Sequence, residues 1–437
     1  MSDTPVCDFV ESYAHSAPAR FHMPGHKGRA FLGCESLDIT EIHGADDLYH
    51  PEGILLESEE NAARLFGCPT VYSAEGSSLA IRAMLLTAYR AAGCRGACLA
   101  GRNAHKSFLH TAILLDFPIR WLWAGESYLS CPVTPEQVAQ ALAAEGEKPF
   151  AVYLTSPDYL GNTVDIAGIA AVCHQDGVPL LVDNAHGAYL KFLPVSRHPM
   201  DLGADLCCDS AHKTLPVLTG GAYLHFRNPD LAPQIRQDMA LFGSTSPSWL
   251  ILQSLDQANP YLRALPGRLA AFLPHTAALK GALLAHGFQL AGDEPMKLTL
   301  HAAPFGYTGT ELAEILEKDG LFCEFWDPDY IVFMFTPENT PEELDRLRHA
   351  LCALLPRAVR PETPVRLTRP TQVCTPRQAA FSPAEQIPAA ESIGRILAAA
   401  TVSCPPAVPI VMCGERIDEE AAAAFARYGI EAVTVIQ

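Results

Sequence analysis

Only eight lysines stand against 23 arginines in this chain of 437 residues, so the company that each lysine keeps is informative. Lys213 sits among small and apolar neighbours in SAHKTLPVLTGG, directly after the run LCCDS. An amine partly stripped of water loses proton affinity and can attack a carbonyl to form a Schiff base. Asp183 closes another apolar run, LLVD, where a carboxylate can keep a heteroaromatic nitrogen protonated. Gly76-Ser77-Ser78 follows TVYS and opens a helical stretch, whose free N–H groups and dipole favour a phosphate. Taken singly, each has an ordinary reading: a solvated loop lysine, a capping or ion-paired aspartate, a serine N-cap. Taken together, a phosphate cradle, an acid for a ring nitrogen and a downstream amine are the set that a pyridoxal 5'-phosphate enzyme needs. The glycine loop is neither GxGxxG nor a Walker A sequence, so it suits a dinucleotide or a nucleoside triphosphate poorly.

These residues need elements to hold them. Between about 70 and 226, short apolar runs alternate with helical spacing: TVYS, ACLAG, IRWLWA, FAVYLTSP, PLLVDNAH, LCCDS and AYLHF are separated by stretches such as SSLAIRAMLLTAYRAAG and DIAGIAAVCHQDG. That alternation predicts an α/β fold with a mostly parallel central sheet covered on both faces. Ligands of such sheets bind beyond the carboxyl ends of the strands. The polar clusters there are Glu75–Ser78, Arg102–Lys106, Ser156–Tyr159, Asp183–His186 and Ser210–Lys213. From about 290 the pattern becomes β-α-β-β-α, which predicts a smaller C-terminal α+β domain. The expected organisation is loops or an arm over 1–60, a large cofactor domain over 61–290 and the small domain over 291–437. A Pro-, Thr- and Arg-rich linker is expected near 357–385.

Composition narrows the functional classes. Hydrophobic residues make up 49% and charged residues 18%, the balance of a globular chain with a large core. A formal charge of −18 repels phosphate backbones and anionic lipid, which argues against nucleic-acid and membrane-surface roles. No apolar run is long enough for a membrane span, and the N-terminus lacks the pattern of a signal peptide. The 14 cysteines form no CxxC pair and the 16 histidines no HExxH, so reduced thiols in a cytoplasm and no metal are expected.

The chain resembles the bacterial ornithine/lysine/arginine decarboxylases of the aspartate-aminotransferase-like type I fold. The resemblance runs through RFHMPGHKG (20–28), TEIHGADDLYHPEG (40–53), SAEGSSLAI (73–81), RNAHKSFLH (102–110), LTSPDYLGNTVDI (154–166) and LLVDNAHGAYL (180–190). It continues through DSAHKTLPVLTGGAYL (209–224), STSPSW (244–249) and the tail ESIGRILAA…CPPAVPIVMCGE. It implies decarboxylation of lysine, arginine or ornithine to the amine and carbon dioxide. It also implies that Lys213 carries the cofactor covalently, that Asp183 pairs with the ring nitrogen, that His105 stacks on the ring, and that His186 and His212 lie close to both. On the same resemblance, Gly76, Ser77, Ser78 and Ser210 are expected to bind the phosphate. Ser244 and Thr245 reach toward a partner's cofactor, which implies a homodimer with shared active sites. Lys213 or His212 is the expected proton donor after carbon dioxide leaves. His22, His26 and Lys27 either lie near the site or brace a loop.

The sequence also departs from the family pattern. Asn184 stands where Glu is more usual, Asp158 where Thr is, and Cys404-Pro405-Pro406-Ala407 where Tyr-Pro-Pro-Gly is. The short form, starting at the cofactor domain without the N-terminal wing of the large enzymes, is a further expectation. The departures leave two alternatives open: another type I reaction, such as an aminotransferase or lyase, or a cofactor-binding protein without turnover.

Overall fold

The computed structural model describes residues 2–125, 128–144, 146–360, 369–402 and 408–437; Cys404–Ala407 and part of the expected linker lie outside them. The chain divides into two compact units, Met1–Gly93 with Pro179–Arg268, and Cys94–Val178 with Leu269–Gln437.

Seven strands form the large sheet: β1 (Thr70–Ser73), β2 (Cys98–Gly101), β3 (Ile119–Leu122), β4 (Ala151–Thr155), β5 (Leu180–Asp183), β6 (Leu206–Asp209) and β7 (Ala222–Phe226). The first unit holds four of them in the order β1-β7-β6-β5, and the second holds three in the order β4-β2-β3. Within each unit pairing is parallel except at β7, which runs antiparallel to both β1 and β6. β5 and β6 are buried along their whole length, which is why LLVD and LCCD read as unbroken apolar runs ending in an acid rather than as alternating strands. The helix Gly76–Ala91 follows β1 and buries Leu79, Ala80, Ile81, Ala83, Met84 and Leu85. Burial on adjacent faces makes it an interior helix, and its Ala, Leu and Met content suits that role.

In the second unit, β8 (Gln289–Ala291), β9 (Lys297–His301), β10 (Phe325–Trp326) and β11 (Tyr330–Met334) make an antiparallel sheet in the order β10-β11-β9-β8. Its helices, Gly309–Glu317 and Pro341–Cys352, each start at a capping box, Thr308/Glu311 and Thr340/Glu343. Threonine satisfies the third N–H of the helix while the glutamate returns to the cap N–H, so the TxxE spacing marks both starts in the sequence. The tail adds β12 (Ala384–Pro388) paired with β15 (Ala432–Ile436), and β13 (Thr401–Val402) paired with β14 (Val411–Met412).

Two segments are more regular than expected. Pro5–His15 is helical, with Val6 and Val10 fully buried one turn apart. Within 369–385, Pro376–Phe381 forms a short helix behind a Thr375/Gln378 capping box. Among the described residues, no helix is long and apolar enough to cross a membrane.

Candidate active site

The first unit brings most of the singled-out residues together. Ser210 Oγ donates to Ser77 Oγ at 2.7 Å, tying the end of β6 to the first turn of the helix Gly76–Ala91. Gly76 has φ of 71°, and a side chain there would meet nothing within 4 Å, so open space lies against this N-terminus. The turn is locked from below: Gly76 N donates to Gly220 O at 2.6 Å. Gly220, at φ of 104°, would press a Cβ to 3.2 Å from Ala74 O, so glycine permits both the backbone angle and the approach. Ser77 and Ser78 are half-buried, and Ser210 is buried.

Asp183 is buried at the end of β5, with Oδ1 accepting from Ala185 N at 3.2 Å and from Cys208 Sγ at 3.7 Å. Lys213 lies half-buried on the single turn Ala211–Thr214, where Nζ approaches His186 Nε2 to 3.1 Å. One proton can be shared across that contact. His212 donates Nδ1–H to Gly221 O at 3.0 Å; a carbonyl can only accept, so the neutral ring keeps its lone pair on Nε2. Ser244 and Thr245 are exposed, and Ser244 N donates to Glu75, the residue before Gly76. His22 meets Tyr13 Oη at 2.6 Å, and His26 bonds Asp38 at 3.1 Å and Gly28 N at 3.0 Å, so these histidines brace the N-terminal loop.

The second unit holds the remaining candidates. His105 is exposed at the N-cap of the helix Lys106–Leu115 and accepts from Ser107 N at 3.2 Å. Arg102, three residues earlier, is fully buried and makes a bidentate pair with Glu415 at 2.6 and 2.7 Å. Its guanidinium lies 4.4 Å from the Trp123 ring centre and 5.1 Å from that of Trp121. Asp158 is no open substrate group. Its oxygens take Asn162 N at 2.9 Å, Asn162 Nδ2 at 2.9 Å and Ser130 Oγ at 2.8 Å, and burial pushes its carboxyl up despite these donors.

Sequence reasoning missed two clusters. One is Arg102–Glu415, whose partners are 313 residues apart. The other surrounds Asp209: Oδ2 accepts from His198 Nε2 at 3.0 Å and His225 Nε2 at 3.1 Å, and Oδ1 accepts from Asn184 Nδ2 at 2.7 Å. The available signal was an acid ending the buried run LCCD, one residue before Ser210.

The residues of the first unit suit pyridoxal phosphate: an open helix N-terminus lined by hydroxyls, a buried carboxylate, and an amine beside an imidazole. The description "Orn/Lys/Arg decarboxylase, major domain" matches residues 4–273, and the corresponding C-terminal domain matches 362–431. The chain is 31% identical over 460 residues to arginine decarboxylase of Bacillus subtilis, covering 96% of this chain and 92% of that one. It is 30% identical to arginine decarboxylase of Halalkalibacterium halodurans, with 95% and 91% covered. In fold it is similar to the lysine decarboxylase of Francisella novicida, with a TM-score of 0.83 at 16% identity over 99% of this chain and 81% of that one. The constitutive lysine decarboxylase of Escherichia coli gives 0.80 at 18%, with 99% and 82% covered.

Proposed function

Because this chain belongs to the Orn/Lys/Arg decarboxylase family, we propose that it removes carbon dioxide from a basic amino acid with pyridoxal phosphate held at the Lys213 site. The observation that carries the reading is the Lys213–His186 contact at 3.1 Å, in the same unit as buried Asp183 and the Ser77–Ser210 bridge. Arginine is the first candidate among lysine, arginine and ornithine, since relatives spanning nearly the whole chain are named arginine decarboxylases.

The bound cofactor supplies an electron sink for the carbon from which carbon dioxide departs. The protein's share is positional and protonic. Ser77, Ser78 and Ser210 hold the phosphate at the helix N-terminus, where N–H groups and the dipole favour its charge. Asp183 keeps the proton on the ring nitrogen. His186 Nε2 takes a proton from the Lys213 ammonium and so readies the amine to attack. His212, with Nδ1 committed to Gly221 O, offers Nε2 for proton exchange at the reacting carbon. Ser244 and Thr245, both exposed, would reach a second copy's phosphate in a homodimer.

Borohydride reduction of the loaded protein followed by peptide mass mapping tests the attachment. The cofactor mass is expected on Lys213, and a label on any other lysine would remove the assignment. His212→Gln is expected to lower kcat by about 10²–10⁴-fold, the usual worth of a positioned proton donor, and an unchanged kcat would leave Lys213 as the donor.

A further inference from the structure

A buried carboxylate that the proposed chemistry does not use stands immediately behind the site. Asp209 is fully buried and is answered by three N–H donors, from His198, His225 and Asn184. His198 Nδ1 accepts from Met200 N at 3.3 Å, so its proton sits on Nε2 and points at Asp209. That assignment makes Asp209, His198 and nearby Cys207 a hydrogen-bonded cluster and not a metal site, because the nitrogen facing the centre carries hydrogen. His225 Nδ1 faces Thr70 Oγ1 at 2.9 Å, and burial lowers the basicity of its ring. Burial alone would raise the Asp209 carboxyl, but the two imidazoles bring it well below the usual carboxylate range.

The cluster touches both strand ends that matter. Asp209 precedes Ser210 and, four residues on, Lys213. Asn184 follows Asp183, and its own N donates to Cys208 O at 2.9 Å. The space for the Asn184 amide is reserved by Gly187, where a Cβ would fall 2.0 Å from Asn184 Oδ1. This arrangement also explains the departure at 184. An acid there would face Asp209 with no donor between them, whereas an amide supplies one.

We propose that Asp209 is a positioning residue: gripped by His198 and His225, it holds Asn184 and thereby sets the ends of β5 and β6, which carry Asp183, Ser210 and the Lys213 turn, in the register that the cofactor requires. The inference rests on the cofactor reading above. It predicts that residues 184 and 209 are coupled, so that a wrong residue at one is repaired at the other. In Asn184→Asp two acids face each other. In the double variant Asn184→Asp/Asp209→Asn, the amide oxygen at 209 can take both imidazole protons while its NH₂ donates to the new acid.

The test is titration of apoprotein with pyridoxal phosphate, read by tryptophan quenching and by the visible absorbance of the bound cofactor, with thermal melts to show that each variant folds. Asn184→Asp is expected to bind about tenfold more weakly with a shifted absorbance maximum, the scale of one lost hydrogen bond to a charged group. The double variant is expected to return to within about threefold of the wild type, and its absorbance with it. Wild-type affinity in Asn184→Asp, or no recovery in the double variant, would overturn the inference. Absence of binding by the wild type would instead overturn the cofactor reading. Should Asn184→Asp fail to fold, His198→Leu and His198→Gln ask the same question from the far side of Asp209. Only the glutamine keeps a donor, so equal affinities in that pair would overturn the inference.

Discussion

Two fully buried carboxylates, Asp209 in the first unit and Glu415 in the second, solve the same problem differently. Glu415 meets Arg102 in a bidentate pair and also accepts from Met412 N at 2.8 Å. Among the described residues, Asp209 has no guanidinium or ammonium against it; it accepts from two imidazoles, the Asn184 amide and, at 3.8 Å, the Cys207 thiol. An ion pair in a low dielectric is brittle: removing either charge strands the other, and nothing nearby can reshuffle to compensate. A carboxylate answered by several separate donors can be re-satisfied by an amide, because the partners are themselves polar and turnable. The second unit thus uses its buried charge to fasten the Arg102 loop to the tail. The first unit uses a softer cluster behind the residues proposed to hold the cofactor.

The largest effect should come from breaking the ion pair. Glu415→Gln leaves the Arg102 charge buried and unanswered, and is expected to cost about 3–5 kcal/mol in urea unfolding. A cost below about 1 kcal/mol would erase the contrast between the two units.

Asp256 sharpens the comparison, since among the described residues it is a buried carboxylate with neither an arginine nor imidazoles against it. It accepts from Cys7 N at 2.9 Å and from Ser58 Oγ, and burial lifts its carboxyl to about 6 from an ordinary 3.8. A pKa raised in the folded state means that folding favours the proton. The associated stability is full below the unfolded value and is lost as pH rises through about 6. Relative to Asp256→Asn, the wild type should therefore lose roughly 2–3 kcal/mol between about pH 4 and pH 7. Parallel pH dependences in the two proteins would contradict that sign.

Asp209→Asn should be milder than Glu415→Gln, at about 1–2 kcal/mol, because Asn184 can turn its amide over and accept from the new NH₂. Equal losses in the two variants would show that the difference in partners is immaterial. The smallest change belongs to an exposed pair in the tail, Arg395–Glu385 at 2.7 Å, where both heads reach solvent. Glu385→Gln is expected to shift stability by no more than about 0.5 kcal/mol, the usual limit for screened surface pairs.

What the sequence revealed follows the same division between local and distant. β5 and β6 were legible because continuous burial writes an unbroken apolar run that stops at an acid. The capped helices of the small domain were legible because the TxxE spacing is itself the bonding pattern. Lys213 and Asp183 stood out because each is an isolated polar group at such a strand end. The grip on Asp209 was invisible: His198 and His225 lie 11 and 16 residues from it, in segments whose histidines have no readable partner until the strands pair. Asp158 was illegible for the opposite reason. As a letter it is a spare carboxylate near the site, but the turn at Asn162 consumes its oxygens. The helix Pro5–His15 was hidden because its buried stripe holds only Val6 and Val10 beside Pro5, too little to stand out from a polar N-terminal segment.

The most direct test is mass-spectrometric analysis of the pyridoxal-phosphate-loaded protein incubated with lysine, arginine and ornithine together. The expected result is consumption of one of the three with appearance of its amine, agmatine if arginine is the substrate, and no amine from Lys213→Ala. A keto acid without an amine, or no consumption by wild-type protein with cofactor bound at Lys213, would contradict decarboxylation at this site.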